Sequence, residues 1–190
     1  TKNRPISSNE KPYLTSLKIT DNSGKVLASG QDKYKQINHY IEILGALIKE
    51  MPTKALLKVA DMGSGKGYLT FALYDYLTNV VKLNSEITGV EYREDLVNLC
   101  NKIANDTGFK NLSFKQGSID QFDSTGINIL IALHACDTAT DDAIAKGIKA
   151  GAGLIVVAPC CHKQIRKEVE MHKTTNNLDF LTKHGIFMER

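Results

Sequence analysis

Leu56-Leu57-Lys58-Val59-Ala60-Asp61, followed by Met62-Gly63-Ser64-Gly65-Lys66-Gly67-Tyr68, is the stretch from which the architecture follows. Residues 56–61 are a near-continuous apolar run, as suits a strand buried on both faces. Gly63, Gly65 and Gly67 stand at alternate positions, where they let the backbone turn tightly and let a ligand lie against it. Residues 68–81 then place Leu69, Ala72, Leu73, Tyr76 and Leu77 on one side, the periodicity of a helix. The first N–H groups of such a helix have no partners within it and face whatever the turn holds.

The alternation continues outward from this unit. Further strands are predicted at 86–91, 112–116, 127–133 and 154–158. Helices are predicted at 94–107, with Leu96, Val97, Cys100, Ile103 and Ala104 inward and Gly108 as the stop, and at 138–150, with Ala143, Ile144, Gly147 and Ile148 inward. Upstream, Asp32 opens a helix whose stripe is Tyr34, Ile37, Ile41, Leu44 and Ile48, and Pro52 ends it. The link over 117–126 is short for a full helix. Strands joined by helix-length connectors predict parallel βαβ units with right-handed crossovers. The fold class is therefore α/β, a three-layer, doubly wound, mostly parallel sheet with ligands at the carboxyl ends of the strands. Two β-like runs at 14–20 and 25–29 flank the turn-forming Asp21-Asn22-Ser23-Gly24, so residues 1–31 are expected to be an N-terminal β-hairpin-like extension. Beyond the fifth strand, helices are expected at 163–173 and 178–183, and one candidate strand at 185–189.

Composition bounds the rest. The chain has 190 residues, 42% apolar and 24% charged, an ordinary single-domain make-up that excludes a wholly disordered chain. No stretch approaches the roughly 20 apolar residues of a membrane helix, so no membrane partner is expected. The net charge is +3, yet residues 1–35 hold seven Lys or Arg against three acids, a net +4. That flank fits a polyanionic partner or a merely solvated segment. The four cysteines, Cys100, Cys136, Cys160 and Cys161, follow no N-terminal signal segment, so a reducing cytoplasm is the expected setting. The chain begins at Thr1, as a piece of a longer protein does.

Spacing separates the glycine loop from two better-known ones. A phosphate-cradling P-loop needs Ser or Thr after Gly-Lys, and here Gly67 follows Lys66; a dinucleotide fingerprint needs its third glycine one residue later. An acid directly before the loop, Asp61, suits a ligand that carries an amino group. Asp-x-Gly-x-Gly-x-Gly resembles the first motif of the class I S-adenosylmethionine-dependent methyltransferases. Gly89-Val90-Glu91 is similar to that family's ribose-gripping acidic position, and Gln116-Gly117-Ser118-Ile119 to its adenine-flanking segment, with Ser118 where an Asp is usual. The resemblance spans about residues 32–162. It implies a Rossmann-like methyltransferase domain over 32–190 and S-adenosylmethionine as the cofactor. It further implies cofactor contacts from Asp61, Gly63, Ser64, Gly65, Gly67, Glu91, Tyr92, Gly117, Ser118, Ile119 and Leu133. The family's sheet closes with two more strands than this chain provides, so part of the C-terminal sheet is expected to be lacking. The open apolar edge is then a surface for a homodimer.

Two segments are expected on the same rim, His134-Ala135-Cys136-Asp137-Thr138-Ala139-Thr140-Asp141 after strand four and Pro159-Cys160-Cys161-His162-Lys163 after strand five. They resemble a smaller branch of the family that includes the tRNA acceptor-stem ribose 2′-O-methyltransferase, and Lys35-Gln36 is similar to that branch's lead-in. The resemblance implies RNA as the favoured methyl acceptor. Three readings of the cluster compete with simple local packing. Cys136, Cys160, Cys161 and His162 are four soft ligands, but adjacent cysteines rarely both reach one zinc and no C-x-x-C pair exists, so no metal is expected. A cysteine nucleophile is not required for methyl transfer. The third reading is substrate positioning by Cys136, Pro159, Cys160, Cys161 and Lys163, with proton removal by His162, His134 or Asp137. Two other functions stay open: a non-catalytic binding module on the same fold, and an NAD(P)-dependent reductase, against which the early Gly67 counts.

Overall fold

A computed structural model describes residues 4–9, 11–52, 55–133 and 138–158. The centre is a five-stranded, all-parallel sheet in the order β3-β2-β1-β4-β5, built from β1 (Leu57–Met62), β2 (Ser85–Glu91), β3 (Leu112–Gln116), β4 (Ile129–Ala132) and β5 (Leu154–Val157). β1 lies against β2 from Leu57↔Ser85 to Met62↔Val90 and against β4 from Val59↔Ile129 to Asp61↔Ile131. The strand order therefore reverses beside β1, and the crevice of a doubly wound sheet opens at that point.

The apolar runs of the strands are explained by two-sided burial. Leu57, Val59, Ile87, Ile129 and Ile131 enter a large core with α2 (Gln31–Glu50), α3 (Tyr68–Asp75) and α4 (Glu94–Asp106). The alternate residues Ala60, Met62, Val90, Leu130 and Ala132 enter a smaller core under α5 (Thr138–Lys149). As expected, no helix is found in the link from β3 to β4. None of the described helices is long and apolar enough to cross a membrane.

The expected hairpin-like extension over residues 1–31 is corrected in part. The turn is there: the Asp21 carboxylate accepts the N–H groups of Ser23 and Lys25, and a single antiparallel bridge joins Thr20 to Val26. The first arm is not a strand but a short helix, α1 (Pro12–Ser16), which Pro12 opens at a position that needs no N–H donor. Nor is the segment peripheral. Ile6, Tyr13, Leu14 and Ile19 are fully buried in the large core, and Tyr13 stacks on Phe71 with centroids 6.0 Å apart.

A smaller difference concerns the helix after the glycine loop. Regular α3 ends at Asp75, and Tyr76–Val80 continues it as a wider π turn in which Val81 N–H reaches the Tyr76 carbonyl at 2.9 Å. The elements expected at 163–173, 178–183 and 185–189, and with them the open-edge dimer surface attributed to the missing closing strands, lie outside the described residues.

Candidate functional site

The glycine loop is pinned to the end of β2. Gly63 and Ser64 both donate their N–H groups to the Val90 carbonyl, at 2.8 and 3.0 Å, and Gly67 N–H closes the turn on Ser64 at 2.9 Å. Gly63, Gly65 and Gly67 have φ of 72°, 57° and 69°, the left-handed region open to glycine at no steric cost. Close approach also demands Gly89 on β2, where an added Cβ would stand 2.5 Å from the Phe114 ring and 2.9 Å from Ser64 Oγ.

Glu91 ties the loop to the next strand end. Its Oε2 accepts Gly65 N–H at 2.9 Å, while Oε1 accepts Arg93 N–H at 3.1 Å and lies 3.3 Å from Arg93 Nε. The Glu91 carbonyl in turn accepts Gly117 N–H at 3.1 Å, which sets where β3 leaves the sheet. Thus the ends of β1, β2 and β3, three neighbours in the sheet, are laced together by hydrogen bonds around one hollow.

That hollow is a cavity of about 640 Å³. Ten of the residues expected to hold a cofactor line it: Asp61, Gly63, Ser64, Gly65, Glu91, Tyr92, Gly117, Ser118, Ile119 and Leu133. Gly67 does not. It sits at the start of α3, with Phe114 and Phe71 within 3.0 Å of where a Cβ would be, so its place is under the loop. His134, Cys136, Asp137, Pro159, Cys160, Cys161, His162 and Lys163 lie outside the described residues.

Asp61 is the most perturbed group of the cavity wall. It is 8% exposed, and burial pushes its carboxyl up to about 6 against the lowering effect of Thr70, whose Oγ1 donates to Asp61 Oδ2 at 2.6 Å. Burial, and secondarily the Asp61 charge, holds the Tyr40 phenol well above its ordinary value, and the Tyr40 hydroxyl has no hydrogen-bond partner among the described residues. Cys100, on the apolar side of α4, has its thiol pushed up to about 12 by burial and by Glu91; its Sγ is 3.8 Å from the Gly65 carbonyl. It is a core thiol, not a nucleophile. Asp120 lies two residues beyond Ser118 on the same wall, its carboxyl held below the usual value chiefly by a hydrogen bond from Ser118.

The sequence reading passed over several of these groups. Lys33 reaches the cavity from the first turn of α2, and Gln36, otherwise only a lead-in residue, from the second. Their spacing of three puts both on one helix face, a signal that was available but that no motif distinguished. Thr70 carried no signal, because its role exists only once α3 folds back against β1.

A family model described as a methyltransferase domain matches residues 32–168. A glutathione S-transferase C-terminal domain-containing protein of Xenopus laevis is 27% identical over 138 residues, covering 73% of this chain and 21% of that protein. The human protein of the same description is 33% identical over 106 residues, covering 55% of this chain and 16% of its own length. An uncharacterized methyltransferase of Bacillus subtilis, YcgJ, is 25% identical over 135 residues, covering 70% of this chain and 46% of that protein. The chain thus spans about a fifth or less of the vertebrate relatives and about half of the bacterial one. Among solved structures, the tRNA (uracil-54, C5)-methyltransferase of Pyrococcus abyssi in complex with S-adenosyl-L-homocysteine aligns with a TM-score of 0.49 and 15% identity, over 73% of this chain and 32% of that one.

Proposed function

The chain belongs to the methyltransferase domain family, and from that premise we propose that its cavity binds S-adenosylmethionine and that the protein transfers the methyl group to RNA. The observation that carries the reading is the convergence of Asp61, Glu91 and residues 117–119 at the ends of three adjacent strands around one hollow. Its volume of about 640 Å³ suits a nucleoside with an amino-acid tail.

The residues present fit such a ligand by their chemistry. Asp61 offers a buried carboxylate to the tail ammonium. Glu91 Oε2 keeps a lone pair beyond the one used by Gly65, an acceptor for a ribose hydroxyl, whereas Oε1 already takes both the backbone N–H and the Nε–H of Arg93. Ile119 and Leu133 give apolar surface for the base. When bound, S-adenosylmethionine supplies a methyl group already activated on a sulfonium. The chain's own task is then alignment, which contributes about 7–11 kcal/mol in well-oriented reactions. Oxygen acceptors also need somewhere to put a proton, and His162 is our first candidate, with His134 and Asp137 behind it.

For RNA as the acceptor the support is charge and stacking surface. Residues 1–35 carry a net +4, and Lys66 and Arg93 line the cavity beside Tyr92, which is 77% exposed and free to stack on a base. Calorimetry with S-adenosylhomocysteine tests the cofactor, with a 1:1 isotherm expected. Absence of heat would return the chain to a binding module, and binding of a nicotinamide dinucleotide in its place would make it a reductase. Labelled methyl donor offered to cellular RNA and protein fractions tests the acceptor, and label entering protein alone ends the RNA assignment. A His162→Ala variant that binds cofactor and keeps full turnover removes the base role.

A further inference from the structure

Between β3 and β4 the chain runs over residues 117–126 without helix or strand, so the carbonyls of this link must find their donors elsewhere. The link has open space on both sides. Gly117, Ser118, Ile119 and Asp120 wall the cavity at the strand ends. Behind them lies a second hollow of about 590 Å³, lined on its other side by α5. The link is fixed where it leaves β3, by Gly117 N–H on the Glu91 carbonyl at 3.1 Å, and where it approaches β4, by Asn128 N–H on the Lys58 carbonyl at 2.8 Å.

Its middle is tied across the second hollow by Lys146. This half-buried side chain reaches from α5, and its Nζ donates to the Asp120 carbonyl at 2.8 Å and to the Phe122 carbonyl at 2.6 Å. Neither oxygen takes a backbone N–H among the described residues. An ammonium carries three rotatable donors and can gather carbonyls that diverge from one another. The same charge bears on the carboxyls of Asp120 and Asp123, which are held low chiefly by hydrogen bonds from Ser118 and Thr125 and in smaller part by Lys146.

The base of the tie is firm. Ala143 is fully buried in the smaller core, and a Cβ on Gly147 would stand 2.7 Å from Ile155 Cδ1, so α5 lies close against β5. Ala139 and Asp142, at steps of three and four before Lys146 on one helix face, line the cavity themselves. Lys149 borders the same hollow but is exposed and bonds to neither carbonyl.

Resting on the cofactor reading, we propose that Lys146 is a positioning residue: its ammonium clamps the link to α5, so that residues 117–120 stand already shaped before a ligand arrives. Lys146 does not itself line that cavity and acts through the backbone of Asp120 and Phe122. Without the clamp a ligand must order this wall as it binds, and that cost comes off its affinity.

The test combines calorimetry with S-adenosylhomocysteine, hydrogen exchange at saturating ligand and urea unfolding of the ligand-free protein, all on the 190-residue chain. Lys146→Met should bind the probe about 10-fold more weakly and lose protection over residues 117–122, with an unchanged urea midpoint. Lys146→Arg, which keeps donors for both carbonyls, should recover most of the affinity and the protection. Lys149→Met, which removes the same charge from the same hollow, should match the unaltered chain. Full affinity in Lys146→Met, or an equal loss in Lys149→Met, overturns the clamp and leaves the cofactor assignment standing. So does a fall in the urea midpoint with faster exchange throughout the chain, which would make Lys146 a plain support of the fold. Failure of the unaltered chain to bind S-adenosylhomocysteine sinks both readings.

Discussion

Asp61 is held against its own solvation, and its titration is the sharpest handle on the site. In the unfolded chain its carboxyl titrates near 3.8, and in the fold near 6. The folded value is the higher one, so the native state binds its proton more tightly. Stability conferred by this group is present below about pH 4 and is lost as pH rises towards 6. A rise of about two units is about 3 kcal/mol against the ligand-free fold at neutral pH. Asp61→Asn should therefore raise the urea midpoint at pH 8, with the difference closing by pH 4, while S-adenosylhomocysteine binding is lost. Equal midpoints at pH 8 would show that the carboxylate is not strained. Thr70 bears on the same group, because its hydroxyl is what opposes burial. Thr70→Val should lift Asp61 further and move upward the pH below which the ligand fails to bind, and Thr70→Ser should bring it back. Profiles that coincide for all three chains would remove the role of Thr70.

Among the elements, the N-terminal segment and the glycine loop teach opposite lessons. Asp75 on α3 is almost fully buried and carries the first of them: Lys11 Nζ is 2.8 Å away, the Tyr13 hydroxyl 3.2 Å and the Asn79 amide 2.7 Å. Asp75→Ala leaves a half-buried ammonium and a buried hydroxyl without their acceptor, for a loss of about 3–5 kcal/mol. Protease cleavage near residues 8–12 should then appear well below the global unfolding midpoint, and an unchanged cleavage pattern would contradict the tie. This tie was not readable in the chain, because Lys11 and Tyr13 lie more than sixty residues from Asp75 and the short runs at 14–20 and 25–29 around a turn-forming cluster look like strands. The loop behaves otherwise. The strands were legible to within a residue or two, since a strand covered on both faces must be apolar throughout, and Gly63, Gly65 and Gly89 reported positions where a Cβ is forbidden or a turn is left-handed. Lys33, Thr70 and Tyr40 were not legible, because their meaning lies in the face a helix turns towards β1. Gly89→Ala checks the loop directly: the new methyl meets Phe114 at 2.5 Å, and a loss of about 1–3 kcal/mol with weakened ligand binding is expected.

The molecule as a whole is lopsided, and that decides where a ligand is felt. One face of the sheet carries α1, α2, α3 and α4 over the large core, whereas among the described residues the other carries only α5 and the irregular link after β3. The cavity lies between these regimes, its walls drawn from the rigid β1–α3 corner on one side and from Gly117, Ser118, Ile119 and Asp142 on the other. A ligand at about 100 times its dissociation constant stabilises the native state by about 2.7 kcal/mol. For a chain of this size that corresponds to a rise in Tm of roughly 5–10 °C. The rise should shrink below pH 6, where Asp61 takes up its proton and the tail ammonium loses its counter-charge. Hydrogen exchange should slow most at residues 117–120 and 63–65, where the wall is thin or built of turns, and scarcely at all in α1, whose buried side chains already close it off. Equal protection of α1 and the link after β3, or a Tm shift that does not change with pH, would place the ligand somewhere other than this crevice.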